Sequence, residues 1–518
     1  RGAGNSCPSL VTIPAASTLE LSDGSGVVID GYSQCNAKPN DQPVAGNAVI
    51  KIEVKGPETV GSRGLWVHSA NNTVKGLALY GWDIQVYVSG KTTTGNLIQG
   101  NFIGTNASNS VLTRFAGASG EGIRFHHDGI GNTIGGPLPQ DRNIVSGSAG
   151  DGIGLIGLEA SNNLIIGNYV GLAQNGSTPL PNGSDGIDLG QSASGNIVGG
   201  LNPGERNVVS GNLADGVEVS EPGQTAGNQI VGNLIGVNAA GTAAVPNGVA
   251  GVTIEEGVKM SLVTRNVIAG NSGVGIFVDN SFENVLSENF VGVVPQGLPP
   301  SGPVPAPSSV PDSNLVAMRN GAKNDPNLGM HGVHILGGSQ NNEVRGNIVA
   351  FHSQTGVLIN ADQGFVSTAT CDTYFNTISE NRIFNNSGPG IRLRPDNCGT
   401  DPTLFYPNEN IQPPVITDAA THLITGTACN NCTVGLFLSD KTLMTDPETA
   451  GEGKQLVGKG QANGSGQFSI SVTGLVAGHI VTGTATDSKG NTSEFAQNAL
   501  VRQGEITQKQ LFLPLVRR

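Results

Sequence analysis

The chain has 518 residues and a net charge of −13, and only 13% of its residues are charged and 4% aromatic. The acidic balance argues against nucleic acid as a partner, because phosphates demand basic patches, and against anionic membrane surfaces. Ile, Val and Leu recur along the whole chain, which excludes a disordered low-complexity protein. No apolar run approaches the ~18 residues of a membrane helix, so no membrane span is expected.

The cysteines and the first residues indicate an extracellular protein. The chain opens at Arg1 without Met or an apolar signal-peptide core, as expected of a mature form whose signal peptide has been removed. An even number of cysteines, close together in pairs, favours an oxidising compartment. We therefore expect a secreted or cell-surface protein with the disulfides Cys7–Cys35, Cys371–Cys398 and Cys429–Cys432.

An internal repeat is the main signal of the sequence, and repeats are the first feature to seek. Two sets of similar strings recur at a spacing of 64 residues, and a looser copy midway, around Asn163 and Asp185, divides this period into two coils. The first set is Asn132-Thr-Ile-Gly-Gly, Arg142-Asn-Ile-Val-Ser-Gly and Asp151-Gly-Ile, and the second is Asn196-Ile-Val-Gly-Gly, Arg206-Asn-Val-Val-Ser-Gly and Asp215-Gly-Val.

Each coil reads as three short strands separated by Gly and Asn. In Gly186-Ile-Asp-Leu-Gly, Ile187 and Leu189 alternate with Asp188, which is the period of a strand. Gly and Asn tolerate the positive φ of tight corners, and Asn repeated at one corner is predicted to form a hydrogen-bonded ladder along the axis. The candidates for this ladder are Asn72, Asn96, Asn132, Asn163, Asn196 and Asn228.

Short strands in such a repeat, with no helix between them, predict an all-β parallel β-helix. On these repeats the chain resembles the pectate-lyase-like superfamily of right-handed parallel β-helices, over about residues 20–410. We expect eleven or twelve coils in a domain of residues 1–411, which includes an N-terminal cap and a Pro-rich excursion at 295–330.

A different pattern begins after residue 411. Strands are predicted at residues 423–426, 433–438, 467–472 and 480–486, and the string from Thr484 to Phe495 is similar to the closing hairpin of bacterial immunoglobulin-like modules. We therefore predict a small immunoglobulin-like β-sandwich at 412–504. It is followed by an apolar, strand-like tail at 505–518.

Aligning the Gly-Ile and Gly-Val strands predicts an exposed acidic patch. Its functional interpretations are a Ca²⁺ site or a catalytic carboxyl pair. The simpler interpretation is corner chemistry, in which Asp side chains accept hydrogen bonds from nearby backbone N–H groups. That accounts for the Asp residues that precede Gly, but not for Asp188 and Glu218. The members of the patch are Asp185, Asp188, Asp215, Glu218 and Glu255.

A family motif bears on the same residues. Ser184-Asp-Gly-Ile-Asp188 resembles the first part of the polygalacturonase signature, which makes Asp185 and Asp188 the counterparts of its carboxylates. The remaining parts of that signature, an Asp-Asp pair, Gly-His-Gly and Arg-Ile-Lys, do not follow in the next coils. A hydrolase of that kind is therefore not expected, and no catalytic set is assigned. The candidates are Asp185, Asp188, Glu218 and Arg124, the last lying near Glu121. No cofactor is expected except Ca²⁺.

Two further groups have alternative interpretations. His126 and His127 suggest a metal or acid–base cluster, but neighbours on a strand point in opposite directions, so we expect ordinary surface histidines. The aromatic residues of the early coils suggest glycan binding or a cap over the N-terminal end of the core, and we favour the cap. These residues are Trp66, Tyr80, Trp82 and Tyr87.

The first functional hypothesis is a non-catalytic structural or adhesive surface protein. A β-helix has open ends, and an apolar tail that adds as a strand to another copy would build head-to-tail filaments or a sheath. The alternatives are a lyase, epimerase or hydrolase, or a glycan-binding protein, acting on an acidic polysaccharide. Fold alone is a poor warrant for such a function.

Overall fold

A computed structural model describes residues 9–110, 117–220, 224–321, 329–364, 370–398, 403–440 and 451–503. Within these residues the chain winds through three long parallel sheets, named here A, B and C, and each coil contributes one strand to each sheet in that order. Sheets A and B hold twelve strands each and sheet C eleven. The predicted right-handed parallel β-helix of about twelve coils is confirmed.

The strands are short, between two and five residues in these sheets. Sheet A comprises Val11–Pro14, Ile52–Lys55, Leu77–Tyr80, Phe102–Ile103, Ile144–Val145, Tyr169–Val170, Val208–Val209, Leu234–Ile235, Val267–Ile268, Phe290–Val291, Ile348–Ala350 and Arg382–Phe384. Sheet B comprises Leu19–Leu21, Arg63–Val67, Ile84–Val88, Ile123–His126, Ile153–Ile156, Ile187–Gly190, Val217–Val219, Val252–Ile254, Ile276–Asp279, Val333–Leu336, Val357–Asn360 and Ile391–Arg394. Sheet C comprises Val28–Asp30, Thr73–Lys75, Leu97–Gln99, Thr133–Gly135, Leu164–Ile166, Ile197–Gly199, Gln229–Val231, Leu262–Thr264, Val285–Ser287, Glu343–Arg345 and Thr377–Ser379.

The core of the rod is built from the inward-pointing residue of each strand. Ile153, Ile187 and Val217 stand in register on neighbouring strands of sheet B and are completely buried. Because side chains alternate along a strand, the residue between two inward ones points away from the axis. The outward columns therefore decide what each face of the rod does.

Asparagine ladders line the corners of the coils. The predicted ladder is confirmed: Asn132 Nδ2 donates to Asn163 Oδ1 at 3.1 Å, and Asn163 Nδ2 donates to Asn196 Oδ1 at 3.1 Å. Two more ladders of the same kind were not predicted. One runs through Asn101, Asn143, Asn168, Asn207, Asn233, Asn266, Asn289, Asn347 and Asn381, and the other through Asn182, Asn212, Asn247, Asn271, Asn320, His352 and Asn386.

The Pro-rich excursion covers the outer face of sheet A. It leaves the rod through the strand Val293–Pro295 and returns through the antiparallel strand Leu315–Ala317, with 3₁₀ turns at Pro307–Ser309 and Asp312–Asn314. Its buried Val304 belongs to the same apolar cluster as Phe290 of sheet A. This outer face is therefore a second hydrophobic core rather than an exposed surface.

The C-terminal domain consists of two antiparallel sheets, as a small sandwich requires. One is formed by Val415–Ala419, Leu423–Thr427 and Gln467–Ser471, and the other by Gly453–Gln461, Thr433–Ser439, Ile480–Thr486 and Ala499–Leu500. A small antiparallel pair, Asp396–Asn397 with Leu404–Phe405, precedes it. The remaining 3₁₀ turns are Gly31–Ser33, Pro139–Asp141 and Pro407–Asn410.

The sandwich covers the last coils of the β-helix. The carboxylate of Glu452, completely buried, accepts a hydrogen bond from Asn386 Nδ2 at 2.8 Å and so ends an asparagine ladder. Glu494 Oε1 accepts from the backbone N–H of Leu393 at 2.8 Å, and Phe495 belongs to the core cluster of the rod. This end of the β-helix is therefore capped by the chain itself.

Two of the predicted disulfides are present, Cys371–Cys398 and Cys429–Cys432, with Cα–Cα distances of 5.5 and 5.4 Å. The predicted Cys7–Cys35 pair involves Cys7, which lies outside the described residues, as does the tail at 505–518. No helix within the described ranges has the length and apolar character needed to cross a bilayer.

Candidate functional site

The outer face of sheet B carries the candidate site. Its central outward column stands in register across successive coils, and the turns on either side of the strands flank it. We call this column the sheet B floor. It runs through Glu20, Trp66, Tyr87, Arg124, Gly154, Asp188, Glu218, Thr253, Phe277, His334, Leu358 and Arg392.

Aromatic and imidazole rings form the N-terminal part of the sheet B floor. The Trp66 ring stacks on His68 with 4.7 Å between centroids and lies 6.0 Å from Tyr87. Tyr87 lies 6.1 Å from His126, and the guanidinium of Arg63 sits 4.1 Å above the Tyr87 ring. The rings form a row along the rod, and Arg63 makes a cation–π contact with one of them. Flat apolar ring faces of this kind are surfaces on which sugar rings stack.

The four early aromatic residues have different surroundings, and their assignment to a cap over the N-terminal end of the core stays a prediction. Trp82 is 2% exposed and belongs to the interior core cluster, and Tyr80 is buried with its hydroxyl donating to Glu53. Trp66 and Tyr87 lie in the outward column of sheet B, where Trp66 is partly exposed and Tyr87 is only 5% exposed. Trp82 lies in the turn between two strands, whereas Trp66 and Tyr87 are in-register neighbours in the outward column of sheet B.

The two adjacent histidines do not point apart as expected. The rings of His126 and His127 lie 4.1 Å apart between centroids, in an edge-to-face arrangement. The sheet B strand ends at His126, and His127 adopts a left-handed backbone with φ of 42°. Because the chain turns there, the alternation of a strand no longer holds for this pair.

The Asp residues that precede Gly-Ile and Gly-Val form a ladder of corner hydrogen bonds. Asp151 Oδ1 accepts from the N–H of Asp185 at 3.0 Å, and Asp185 Oδ1 accepts from the N–H of Asp215 at 2.6 Å. Asp215 continues the series by accepting from Ala250 N–H at 2.5 Å and from Thr253 Oγ1 at 2.9 Å. The interpretation as corner chemistry is confirmed for these residues.

The acidic patch is not exposed, contrary to the expectation from the sequence. Asp185 is 6% exposed, and Asp188 and Asp215 are each 8% exposed. The corner hydrogen bonds draw the Asp185 and Asp215 carboxylates into the turn beside sheet B. Charge in such a setting is disfavoured by loss of water, so protonation becomes part of the chemistry of the site.

Glu218 lies at the centre of this carboxyl cluster, which comprises Asp185, Asp188, Asp215, Glu218 and Glu255. Burial raises the pKa of Glu218 far above its ordinary value, and the negative charges of Asp185 and Asp188 and a hydrogen bond with Asp185 raise it further. A hydrogen bond from Glu218 also lowers the pKa of Glu255, although burial leaves that pKa raised overall. Burial and the neighbouring charges thus favour the protonated form of Glu218, which is hydrogen-bonded to Asp185 and Glu255.

Asp188 and Glu218 are in-register neighbours on adjacent strands, as the sequence predicted. Arg124, two strands before Asp188, donates from Nη1 to Glu121 Oε1 at 2.6 Å. Its positive charge is thus compensated by Glu121. Gly154 occupies the floor between Arg124 and Asp188, and the Glu121 side chain lies beside it, because a Cβ added at Gly154 would be 3.5 Å from Glu121 Cγ.

Within the described ranges, no group of three or more His, Cys, Asp or Glu side chains has the arrangement needed to hold a metal ion. Ca²⁺ binding by Asp185, Asp188, Asp215, Glu218 and Glu255 therefore stays a prediction. The sequence reasoning missed Arg63 and His68 at the other end of the floor. Extending the strand alignment back to the degenerate early coils would have found them.

Comparison with known proteins yields structural likeness only. No family model matches the chain, and no curated protein matches it. A variant of the periplasmic alginate epimerase AlgG superposes with a TM-score of 0.41 and 14% identity, over 72% of each chain. The Dettilon tailspike protein gives 0.39 and 14%, over 94% of this chain and 84% of the tailspike.

The surface adhesin PfbA of Streptococcus pneumoniae gives a TM-score of 0.35 and 11% identity, over 75% of this chain and 84% of the adhesin. At this level of similarity none of these proteins supports an activity for the chain. Its function has to be argued from its own residues.

Proposed function

We propose that the chain binds a polysaccharide along the sheet B floor and hydrolyses it with Glu218 as the general acid and Asp188 as the nucleophile. The observation that carries this proposal is the in-register pair of Asp188 and Glu218 on adjacent strands, in a cluster where burial raises the pKa of Glu218. Two carboxyl groups at this separation act as general acid and nucleophile in retaining glycoside hydrolysis.

The proton balance of the reaction follows from this pair. Glu218 donates its proton to the glycosidic oxygen as the bond to the anomeric carbon breaks. The Asp188 carboxylate attacks that carbon to form a glycosyl ester, as fits carboxyl groups on adjacent strands about 4.8 Å apart. A water molecule then releases the sugar from Asp188 and returns a proton to Glu218. Asp185 and Glu255, which share hydrogen bonds with Glu218, hold its carboxyl group in place and keep it protonated before the reaction.

The substrate is selected by the remainder of the floor. Trp66, which is partly exposed and is backed by the buried Tyr87, offers a ring face to sugar residues that extend from the acid cluster along the rod. The carboxylates around Glu218 would repel an anionic sugar at the cleavage point. The sugar bound there is therefore an uncharged one, which departs from the acidic polysaccharide considered on sequence grounds.

The test uses the full chain against a panel of neutral and acidic extracellular polysaccharides, with reducing ends and unsaturated products measured separately. We expect a neutral polysaccharide to yield reducing ends without unsaturation. Glu218→Gln should reduce the rate by about 100-fold or more, the usual contribution of a general acid, while binding in a calorimetric titration is retained. The matched control is Glu283→Gln, a glutamate in a turn outside the cluster.

Two outcomes would contradict the proposal. Product formation unchanged in Glu218→Gln would remove the acid role. Tight binding with no product from any polysaccharide would instead support the non-catalytic, adhesive hypothesis. Trp66→Ala separates the two functions of the floor, because it should weaken binding while leaving the protonation of Glu218 unaltered.

The head-to-tail filament stays a separate prediction, because the tail at 505–518 lies outside the described residues. The contacts of the sandwich with Asn386 and Leu393 cover the C-terminal end of the rod. A second copy that stacked directly on this end would have to displace the sandwich. Filament formation therefore depends on the tail reaching another part of a neighbouring molecule.

A further inference from the structure

A cavity of 260 Å³ lies over sheet A, on a different face of the rod from the sheet B floor. It is enclosed between the loop that contains Pro43 and the Pro-rich excursion around Ser301. Tyr169 and Val208 of sheet A line it, with Arg142 and Arg206. Five prolines from four segments of the chain also line it: Pro43, Pro137, Pro139, Pro203 and Pro300.

Each of the two arginines holds a different loop in place by donating hydrogen bonds to its backbone carbonyls. Arg142 Nη2 donates to Pro43 O at 2.6 Å, and its guanidinium stacks 4.2 Å above the ring of Tyr169. Arg206 donates to the carbonyls of Pro299 and Gly302. A guanidinium has five N–H donors, and within the described residues the buried Nε atoms of Arg142 and Arg206, like that of Arg265 further along the rod, have no hydrogen-bond partner.

Two other arginines further along sheet A also donate to backbone carbonyls of the Pro-rich excursion and provide a comparison. Arg265 donates to Val304 O at 2.9 Å and has Glu288 3.7 Å away. Arg382 donates to Val310 O at 2.9 Å and is paired with Asp312. Arg265 and Arg382, which lie outside the cavity, each have a carboxylate beside them.

Arg142 and Arg206 have no such partner among the described residues. The adjacent acids are engaged elsewhere: Asp141 accepts from the backbone N–H of Leu138 at 3.2 Å, and Glu205 accepts from Asn202 Nδ2 at 2.8 Å. Arg206 is 8% exposed, and burial lowers its pKa to about 10. A buried charge without a counter-charge is costly, and a bound anion would relieve that cost.

We propose that this cavity binds a small organic carboxylate the size of one sugar ring, with the carboxylate held between Arg142 and Arg206. Guanidinium groups match the planar, two-oxygen geometry of a carboxylate. The ring of Tyr169 and the surrounding prolines offer apolar faces to the remainder of the ligand. The volume is just below the ~300 Å³ at which pockets for larger ligands begin, which favours a single ring. This inference is independent of the function proposed for sheet B.

The test is a calorimetric titration of the full chain with D-glucuronate, and with D-glucose as the uncharged match. We expect glucuronate to bind and glucose not to bind. Arg206→Gln should weaken glucuronate binding by ten-fold or more. Arg265→Gln is the control, because it removes an equivalent loop contact outside the cavity and should leave binding unchanged.

A second variant keeps the test valid if Arg206→Gln does not fold. Ser301 has an exposed side chain, so Ser301→Trp places a ring at the cavity and should block glucuronate without removing a buried contact. Absence of glucuronate binding to the native chain would overturn the proposal. Equal binding of glucose, or unchanged binding in both Arg206→Gln and Ser301→Trp, would overturn it as well.

Discussion

The outer faces of sheets A and B have the same backbone conformation, but their outward side chains differ in chemistry and in what covers them. On sheet A the outward column is apolar, and the loops that leave the rod fold back over it to make a second core. On sheet B the outward column holds rings and carboxyl groups, and its turns are short enough to remain beside the floor. The difference teaches that the fold supplies two equivalent surfaces and that outward residues decide which becomes a core and which a site.

The comparison is sharpened by removing one large side chain from each face. Phe290 of sheet A is completely buried beneath the excursion, so Phe290→Ala should lower the free energy of unfolding by about 3–5 kcal/mol. Trp66→Ala on sheet B should cost less than half as much, because Trp66 is only partly buried. Chemical denaturation measures both, and equal losses would show that sheet B is covered as sheet A is.

The coils were predictable from the sequence because each third of a coil repeats the same pattern, a short strand of alternating apolar residues followed by a corner. Alternating Ile and Val fixed the strands, and Asn163 and Asn196 marked a corner. The other two ladders were missed because the spacing of their asparagines changes from coil to coil. Asn143 and Asn207 recur at the 64-residue period, but Asn168, which lies between them in the ladder, is not midway in sequence. The excursions change the spacing between coils without changing the register.

The second prediction concerns the ladders that both faces share. Asn207 is completely buried; its Nδ2 donates to Ile165 O at 2.7 Å and to Asn233 Oδ1 at 3.0 Å, and its Oδ1 accepts from Asn168. Asn207→Ala leaves these partners unsatisfied, at about 1–3 kcal/mol each. We expect a loss of about 3 kcal/mol by denaturation. Asn175→Ala, in an exposed turn, is the control and should change stability by less than about 0.5 kcal/mol.

The site was only partly predictable, because the sequence gives the register of Asp188 and Glu218 but not their burial. The corner hydrogen bonds that bury Asp185 and Asp215 depend on the backbone of the following coil. A sequence alignment shows which carboxyl groups are neighbours. It does not show which of them is shielded from water, and that burial is the largest cause of the raised pKa of Glu218.

The third prediction tests the burial of the sheet B carboxyl groups through pH. Burial and the charge of Asp185 raise the pKa of Asp215 to about 7, from the ordinary 3.8. The folded chain therefore holds a proton that the unfolded chain releases, and the stabilisation is present in full below about pH 4 and lost as the pH rises through 7. Asp215→Asn stays neutral, so it should gain about 2 kcal/mol relative to the native chain between about pH 5 and pH 7. A constant difference across this range would contradict the raised pKa.

The fourth prediction has the opposite sign and concerns the third ladder, where His352 stands between Asn320 and Asn386. Burial lowers the pKa of His352 to about 4. The unfolded chain takes up a proton below about pH 6.5 that the folded chain refuses, so stability is lost as the pH falls. His352→Asn continues the ladder with a group that does not titrate. It should lose about 1 kcal/mol less than the native chain between about pH 6.5 and pH 5.5. The exposed His422→Asn is the control, and an equal effect in both variants would mean that acid sensitivity arises outside the ladder.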